Sequence, residues 1–438
     1  MRLALLHWVC LWGLMVCIAD RAEAGSEHTT PPDSVQNIRG TEQPLPNKVS
    51  PLRYAARGLL FVPYAAVETA IWPITTLARL NEEHHLVTKA ADLMTFHPGS
   101  YRTTVGPMFG FESSLGISAV GLNIRGRDWL GTGTDLKLGL GYVNSDRNLA
   151  AGGFEHEGDH VEWSVSARQE QLEDRPFYGI GPGSPEQRTD YNARMRLLEA
   201  EVTGWPQSTW KPTLSVYLRD LDLSRSSSAT SMSDVFPEIF AASENGRYTG
   251  TELGLAYDTR NADDYSSQGV LVQALGGHNH SLLSEDADYW NYQGELQKFF
   301  GLRNGSRSFM FRVFAEGIEP DGDGDLPLAE LPRLGGKTGL RGYSRFRFAD
   351  HRSLELNFAY RYPVTNRVLG EVFVDWGSVA PTWQELSLSH TDPSLGFGLM
   401  FNSKYGPLFS FHVAGNSESI QVAVSTTSIF KTGSRRKP

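Results

Sequence analysis

A glycine-rich run with one arginine near its tip is the strongest candidate for chemistry in this 438-residue chain. Residues 335–343 read Gly-Gly-Lys-Thr-Gly-Leu-Arg-Gly-Tyr, and an alternating segment from Leu354 to Tyr362 follows them. Arg341 carries a planar fork of donors that suits carboxylates, and the neighbouring glycines let the backbone turn sharply. The pattern predicts a loop that folds back against acidic side chains, with turns at Gly335, Gly336, Gly339 and Gly342.

The two segments after this run supply the acids. Side chains alternate between the two faces of a strand, so Glu355 and Arg361 share one face of the first segment. Glu371 and Asp375 share the same face of the second. Contacts between a guanidinium and carboxylates are short and directional. We therefore expect Glu355 and Asp375 to be the counter-charges of Arg341.

Enzymatic or metal chemistry is the alternative. The chain contains no G-x-S-x-G and no complete phosphate-binding loop. His278 and His280 share a strand face beside Ser281, but no third partner is evident, and polar residues near a strand end explain them better. Asp321, Asp323 and Asp325 alternate with glycine, yet Leu326 and Pro332 stand where a calcium loop needs Gly and Glu. We predict no metal, no cofactor and no catalytic residue.

Composition places the chain outside the cytoplasm. Residues 1–24 resemble a secretory signal, with a basic start, an apolar stretch and a small-x-small cleavage site; a retained anchor or a lipoprotein at Cys17 are the alternatives. Both cysteines, Cys10 and Cys17, lie inside this segment, so the remainder has no disulfide or thiolate site. The net charge of −10 argues against nucleic acid as a partner. No later segment reaches the ~18 apolar residues of a membrane helix.

The rest of the chain divides into four parts. Residues 25–50 are rich in Ser, Thr and Pro and predict a disordered linker. Residues 51–98 have helical spacing broken by prolines and predict short amphipathic helices, packed on an apolar surface or touching a membrane. Residues 99–430 alternate with period two, and residues 431–438 form a basic tail.

The alternating region predicts an all-β, transmembrane antiparallel barrel. A soluble sheet would also alternate, but these strands are long, their second face carries charges and glycines, and aromatic residues lie toward strand ends. Fifteen strands can be recognised from the sequence. Because bacterial single-chain barrels have an even number, we predict about sixteen, with the missing strand before residue 100 or between Ser224 and Arg247.

Six motifs then resemble, in order, those of the bacterial surface-antigen superfamily, the barrels of BamA/TamA type. They are Phe177–Gly181 (FYGIG), Tyr257–Arg260 (YDTR) with Gly269, Leu331–Tyr343 with its LRGY tip, Leu354–Pro363, Val372–Gly377, and the closing strands from Gly406 to Phe430. The resemblance implies that Arg341, Gly342 and Tyr343 lock an inward-folding loop against Glu355 and Asp375. It also implies that Phe430 is an insertion signal, although here residues 431–438 follow it.

The resemblance implies a non-enzymatic protein of the bacterial outer membrane that helps to insert or translocate proteins or lipids. Outer-membrane lipids and protein or lipid clients are the expected partners. No pattern typical of the family's periplasmic POTRA modules is recognisable before the barrel. A passive channel and an outer-membrane hydrolase such as a phospholipase remain as alternatives. Gly106, Pro107 and Gly110 in the first strand predict a weak seam, which suits an assembly barrel better than a channel.

Overall fold

The computed structural model describes most of the chain after residue 102. The described residues are 34–36, 42–44, 103–113, 116–144, 147–243, 245–261, 266–283, 287–302, 307–322, 326–337, 339–364, 368–403 and 406–426. The predicted signal, the helices of residues 51–98, Phe430 and the basic tail lie outside them.

Residues 1–90 form one unit and residues 91–438 another. In the first unit, Ser34–Gln36 pairs antiparallel with Glu42–Pro44. These six residues fall in the predicted linker. The linker itself stays a prediction, because the residues around them are not described.

The second unit is built from one antiparallel sheet of sixteen strands, in which every strand pairs with its neighbours in the sequence. This confirms the predicted all-β architecture and strand number. The strands are β1 Thr103–Glu112, β2 Gly116–Gly126, β3 Thr134–Asn144, β4 Arg147–Glu157, β5 Val161–Phe177, β6 Thr189–Gly204, β7 Trp210–Arg225, β8 Asn245–Asp258, β9 Gly269–Ser281, β10 Tyr289–Leu302, β11 Arg307–Pro320, β12 Arg352–Pro363, β13 Val368–Ala380, β14 Ser394–Ser403, β15 Gly406–Gly415 and β16 Ile420–Thr426.

Alternation along each strand separates an apolar outer face from a polar inner one. In β8, Leu253 is 65% exposed, whereas the adjacent Glu252 is 3% exposed. In β13, Val372 is 41% exposed, whereas Glu371 and Asp375 are buried. Leucine and valine therefore lie on the outer face, and the buried carboxylates lie on the inner face. This arrangement is the inverse of that in a soluble sheet, and it is typical of a barrel in lipid.

The missing strand is β4, not a segment before residue 100 or in the 224–247 region, so that prediction was wrong. Its sequence, RNLAAGGFEHE, has an Ala-Ala-Gly-Gly centre without alternation, which hid it. The connection between β7 and β8 instead holds two short helices, α1 Met232–Val235 and α2 Pro237–Ala241. No helix among the described residues has the length and apolarity needed to cross a membrane.

The four longest connections lie at the same end of the strands. The β5–β6, β7–β8, β11–β12 and β13–β14 connections share one side, and residues 321–351 of the β11–β12 loop make the longest of them. The turns on the other side, such as β12–β13, are mostly short. Outer-membrane barrels place short turns in the periplasm and long loops outside.

Candidate functional site: an inward-folded loop beside the seam

The β11–β12 loop doubles back on itself before it reaches the inner wall. Arg333–Leu334 pairs antiparallel with Phe348–Ala349, which closes the base of the excursion. Beyond this base lies a small buried apolar cluster of Leu334, Leu340, Tyr343, Phe348 and Val379. Since Val379 belongs to β13, the cluster holds the loop against the wall and carries Arg341 toward the polar inner face.

Arg341 is bound by two acids of β13. Its Nε and Nη2 donate to the two carboxylate oxygens of Asp375 at 2.7 and 2.8 Å, and its backbone N–H donates to the same group at 3.2 Å. Nη1 donates to Glu371 at 2.7 Å. Burial alone would lower the pKa of Arg341, but Asp375 and then Glu371 raise it above its ordinary value. The guanidinium therefore stays charged at all working pH values.

Phe373 lies between these two acids in the sequence, and the Arg341 guanidinium packs on the face of its ring. The Arg341 Cζ atom is 3.3 Å from the ring centroid, a cation–π contact in a site shielded from solvent. Glu371 also accepts from Arg361 Nε at 2.7 Å, and Asp375 accepts from Asn357 Nδ2 at 2.9 Å. The two carboxylates are thus shared between loop and wall.

Glu355 has a different role from the one expected. It accepts from Arg312 Nη1 of β11 at 2.8 Å, and Arg312 also donates to Glu295 and to Asn357. The place expected for Glu355 beside Arg341 is taken by Glu371. The sequence indicated that Glu371 faces inward, but its spacing gave no means of ranking it above Glu355.

Two loop glycines are required by close approach. A Cβ on Gly339 would lie 2.5 Å from Glu355 Oε1, and the residue has a φ of +146°. A Cβ on Gly342 would lie 2.6 Å from Ser394 Oγ and 3.1 Å from the backbone of Gly415. The loop tip therefore touches β12, β14 and β15 through its backbone, and any side chain there would lift it away.

Tyr343 anchors the tip to the β13–β14 connection. Its hydroxyl donates to the carbonyl oxygen of Asp392 at 3.0 Å and accepts from the Asp392 N–H at 2.9 Å. Its ring meets Phe348 edge to face, with centroids 5.1 Å apart. Burial raises the pKa of Tyr343 to about 12.

The docked loop should therefore be sensitive to alkali. Because the folded pKa of Tyr343 is above the ordinary value, its contribution to stability is fully present below about pH 10. It is lost as the pH rises toward about 12. The difference in unfolding free energy between the native chain and Tyr343→Phe should shrink across this range, as measured by urea titration in micelles. A difference that stays constant from pH 9 to 12 would contradict this assignment.

The same loop also holds the final hairpin. The Gly342 carbonyl accepts from Asn416 Nδ2 at 3.1 Å and from Ser419 Oγ at 3.0 Å, both in the β15–β16 turn. Arg347 binds Glu418 of that turn with Nε at 2.8 Å and Nη2 at 3.0 Å. Its Nη1 donates to Ser184 Oγ of the β5–β6 connection at 3.0 Å. The β11–β12 loop thus contacts both the β15–β16 turn and the β5–β6 connection, which belong to strands far apart in the sheet.

The seam between β16 and β1 is the shortest ladder of the barrel within the described residues. It holds three residue pairs, whereas the adjacent β15–β16 ladder holds seven. The pairs are Glu112 with Ala423, Phe111 with Val424, and Gly110 with Ser425. Next to them, the Ser113 N–H donates to the Val422 carbonyl at 2.9 Å.

Residues 156–160 spell H-E-x-x-H, a zinc-binding pattern when it lies on a helix. Here His156 and Glu157 end β4 and His160 lies in the turn before β5, so no helical face brings the two imidazoles together. His156 Nδ1 is 2.9 Å from Thr134 Oγ1. Among the described residues, no group of three metal-binding side chains is placed to hold an ion.

The other histidine pair is also bound locally. His278 Nε2 lies 2.9 Å from Asp321 Oδ2, and His280 Nδ1 lies 2.7 Å from Asp288 Oδ2. Each imidazole has its own acid in a surface loop. Asp323 and Asp325 lie outside the described residues.

Comparison with protein families matches residues 128–419, more than half of the chain, to the Omp85 superfamily domain. The chain belongs to the Omp85 superfamily. This confirms the family assignment made from the six motifs. A search of curated proteins finds no significant match.

Two solved structures share this fold over most of the present chain. BamA from Haemophilus ducreyi lacking POTRA domains 1–3 is similar with a TM-score of 0.56 at 14% identity, over 74% of this chain and 70% of that one. CdiB from Escherichia coli is similar with a TM-score of 0.52 at 11% identity, over 74% of this chain and 62% of that one. This Omp85 chain thus spans less than two thirds of the length of that CdiB. At these identities the likeness concerns the fold.

Proposed function

We propose that this Omp85 barrel assists the insertion or translocation of outer-membrane proteins or lipids, without an enzymatic activity. Outer-membrane protein assembly or secretion is the work of the family at large. The observation that carries the proposal for this chain is the seam, which has three residue pairs among the described residues and whose last hairpin is held by the docked loop. Arg341, Gly342 and Tyr343 of the loop act in this proposal as the lock, with Glu371 and Asp375 of the wall as their acidic partners.

A short seam matters because of what its strands present when they part. An opened strand edge offers a row of backbone donors and acceptors, which is a template for another strand. In hydrocarbon, each unsatisfied group costs several kcal/mol, so an incoming strand that pairs with the edge is strongly favoured. The described part of the seam, Gly110–Glu112 with Ala423–Ser425, loses few hydrogen bonds on parting. The barrel is therefore suited to accept a client strand between β1 and β16.

Closing the seam covalently tests the proposal. The natural cysteines, Cys10 and Cys17, both lie in the predicted signal, so Phe111→Cys with Val424→Cys introduces one directed pair at register partners. Vesicles carrying the native chain should speed the insertion of a urea-unfolded eight-stranded outer-membrane barrel, read by its heat-dependent gel migration. The oxidised double variant should fall to the rate of empty vesicles, and a reductant should restore it.

The matched control places a disulfide in a long ladder. Leu255→Cys with Ala274→Cys joins register partners of β8 and β9, where eleven residue pairs are formed. This variant should keep the native rate when oxidised. If the seam disulfide leaves insertion unchanged, or if the native chain never accelerates insertion, the proposed function fails.

A passive channel is the competing function. The docked loop argues against it, because Arg341 fixes the loop to the inner wall, and Tyr343 and Arg347 fix it to two other connections. Single-channel recordings of the purified protein distinguish the two functions. A large, stable open conductance favours the channel, whereas a mostly closed state favours the locked loop.

A further inference from the structure

A second polar site lies on the opposite side of the loop from Arg341. Between the base of the loop and strands β5 to β11 there is a cavity of about 130 Å³, whose lining includes Arg175, Arg219, Tyr289, Glu330, Arg333 and Phe346. One water needs only ~10–15 Å³ of such space. The cavity is therefore large enough for a polyatomic ion.

Arg175 of β5 is the feature that needs an explanation. Its side chain is 5% exposed, and its Nε has no hydrogen-bond partner among the described residues. No hydrogen bond or ion pair joins its guanidinium to any other side chain that the structure describes. The two terminal nitrogens of Arg175 are not among the buried atoms without a partner, so they are accessible to solvent or to an ion. A largely buried charge that has no ion pair is stabilised by a counter-charge.

Further positive charge surrounds the same point. The Phe346 ring lies beside three guanidinium groups, with Cζ-to-centroid distances of 4.7 Å for Arg175, 5.0 Å for Arg333 and 4.8 Å for Arg345. Arg333 donates through Nη1 to Tyr191 and through Nη2 to the Leu328 carbonyl, and its buried Nε has no partner among the described residues. A wall arginine and a loop arginine thus meet at one ring.

The acids that line the cavity are engaged elsewhere. Glu330 pairs with Arg219 Nη2 at 2.8 Å, and Glu252 accepts from Asn291 Nδ2 at 2.9 Å. Glu316 accepts from Ser353 Oγ at 3.1 Å. None of these bonds involves Arg175 or Arg333. At Phe346 the cavity therefore has two arginines, Arg175 and Arg333, and neither forms an ion pair with an acid among the described residues.

We propose that this cavity binds a small oxyanion of the phosphate class between Arg175 of the wall and Arg333 of the loop. Guanidinium groups present parallel N–H donors that match two oxygens of such an ion. The ion supplies a counter-charge to Arg175 and Arg333, which both line the cavity, and it ties the base of the loop to β5. The loop then has two attachments, Arg341 at its tip and the bound anion at its base.

Equilibrium dialysis of the purified full chain tests the site directly. The protein in uncharged detergent is dialysed against radiolabelled inorganic phosphate, with the ionic strength held constant by sodium chloride. We expect saturable binding of one phosphate per chain and a rise in unfolding temperature, because a ligand of the folded state stabilises it. A parallel titration with phosphatidic acid in the micelles shows whether a lipid headgroup supplies the phosphate. Saturation by either source supports the site.

Variants separate this site from general charge effects. Arg175→Gln removes the unpartnered group and should weaken binding by about tenfold or more, the worth of charged hydrogen bonds. Arg196→Gln changes an exposed arginine paired with Asp220 and should leave binding unchanged. Native affinity in Arg175→Gln overturns the proposal. If that variant does not fold, the native chain decides alone, because absence of bound phosphate and of phosphatidic acid stabilisation is then the overturning result.

Discussion

Arg341→Ala should lower the free energy of unfolding by about 3–5 kcal/mol, the range for breaking a buried ion pair from one side. Glu371 would keep Arg361, but Asp375 would be left at 0% exposure with only Asn357 as a described side-chain donor. Most of the loss therefore comes from one buried carboxylate. Urea titration in micelles and the level of protein at the cell surface measure the effect.

Two control variants test whether the loss of stability is specific to the buried guanidinium of Arg341. Arg341→Lys keeps the charge and loses the fork that spans both oxygens of Asp375, so an intermediate loss is expected. Arg196→Ala removes an exposed partner of Asp220 and should change stability by about 0–1 kcal/mol. Native heat-resistant migration and surface level in Arg341→Ala would show that the loop is not locked by this residue.

Gly335→Ala should release the loop at its base. Gly335 has a φ of +108°, and a Cβ there would lie 2.2 Å from the Ser344 carbonyl oxygen. The backbone conformation alone costs about 1–3 kcal/mol for a residue with a side chain, and the backbone contact cannot be relieved by a rotamer change. The released loop should be cut by trypsin at Lys337 or Arg341 many times faster than the native one.

Substitutions at two other glycines distinguish backbone strain from steric clash as the cause of loop release. Gly131 has a φ of +126°, and a Cβ there would have no atom within 4 Å, so Gly131→Ala reports the backbone strain without a clash. Gly183 has open space and no such φ, so Gly183→Ala should be neutral. If Gly335→Ala leaves the loop as resistant to trypsin as Gly183→Ala does, the close contact with Ser344 does not hold the base.

The fold was predictable to the extent that each strand alternates. Strand β12 has branched or aromatic residues at every second position from Leu354 to Tyr362, and its bounds follow within a residue. Strand β4 carries Ala150 to Gly153 at its centre, where neither face is marked by size or charge. Gly153 there lets Val165 and Ser166 of β5 approach closely. That packing is a property of the neighbours and cannot be read from β4 alone.

The site residues were predictable only where the alternation within one strand determines the direction of a side chain. The sequence indicated Arg341, Asp375 and the inward face of Glu371, because period two fixes which way a strand residue points. It could not indicate that Arg312 would bind Glu355, since this depends on the register between β11 and β12. Contacts such as Arg347 with Glu418 join segments that are distant in sequence and required the closed arrangement of strands.

Among the described residues the ladders differ in length, which implies that the barrel does not open as one cooperative unit. Local openings span free energies from near zero up to that of global unfolding, and they follow the number of bonds that must break. Amide hydrogens of β1 and β16 should therefore exchange with deuterium well before those of β7 and β8, which share thirteen residue pairs. A barrel of this kind can expose one pair of edges to a passing chain while fourteen strands remain native.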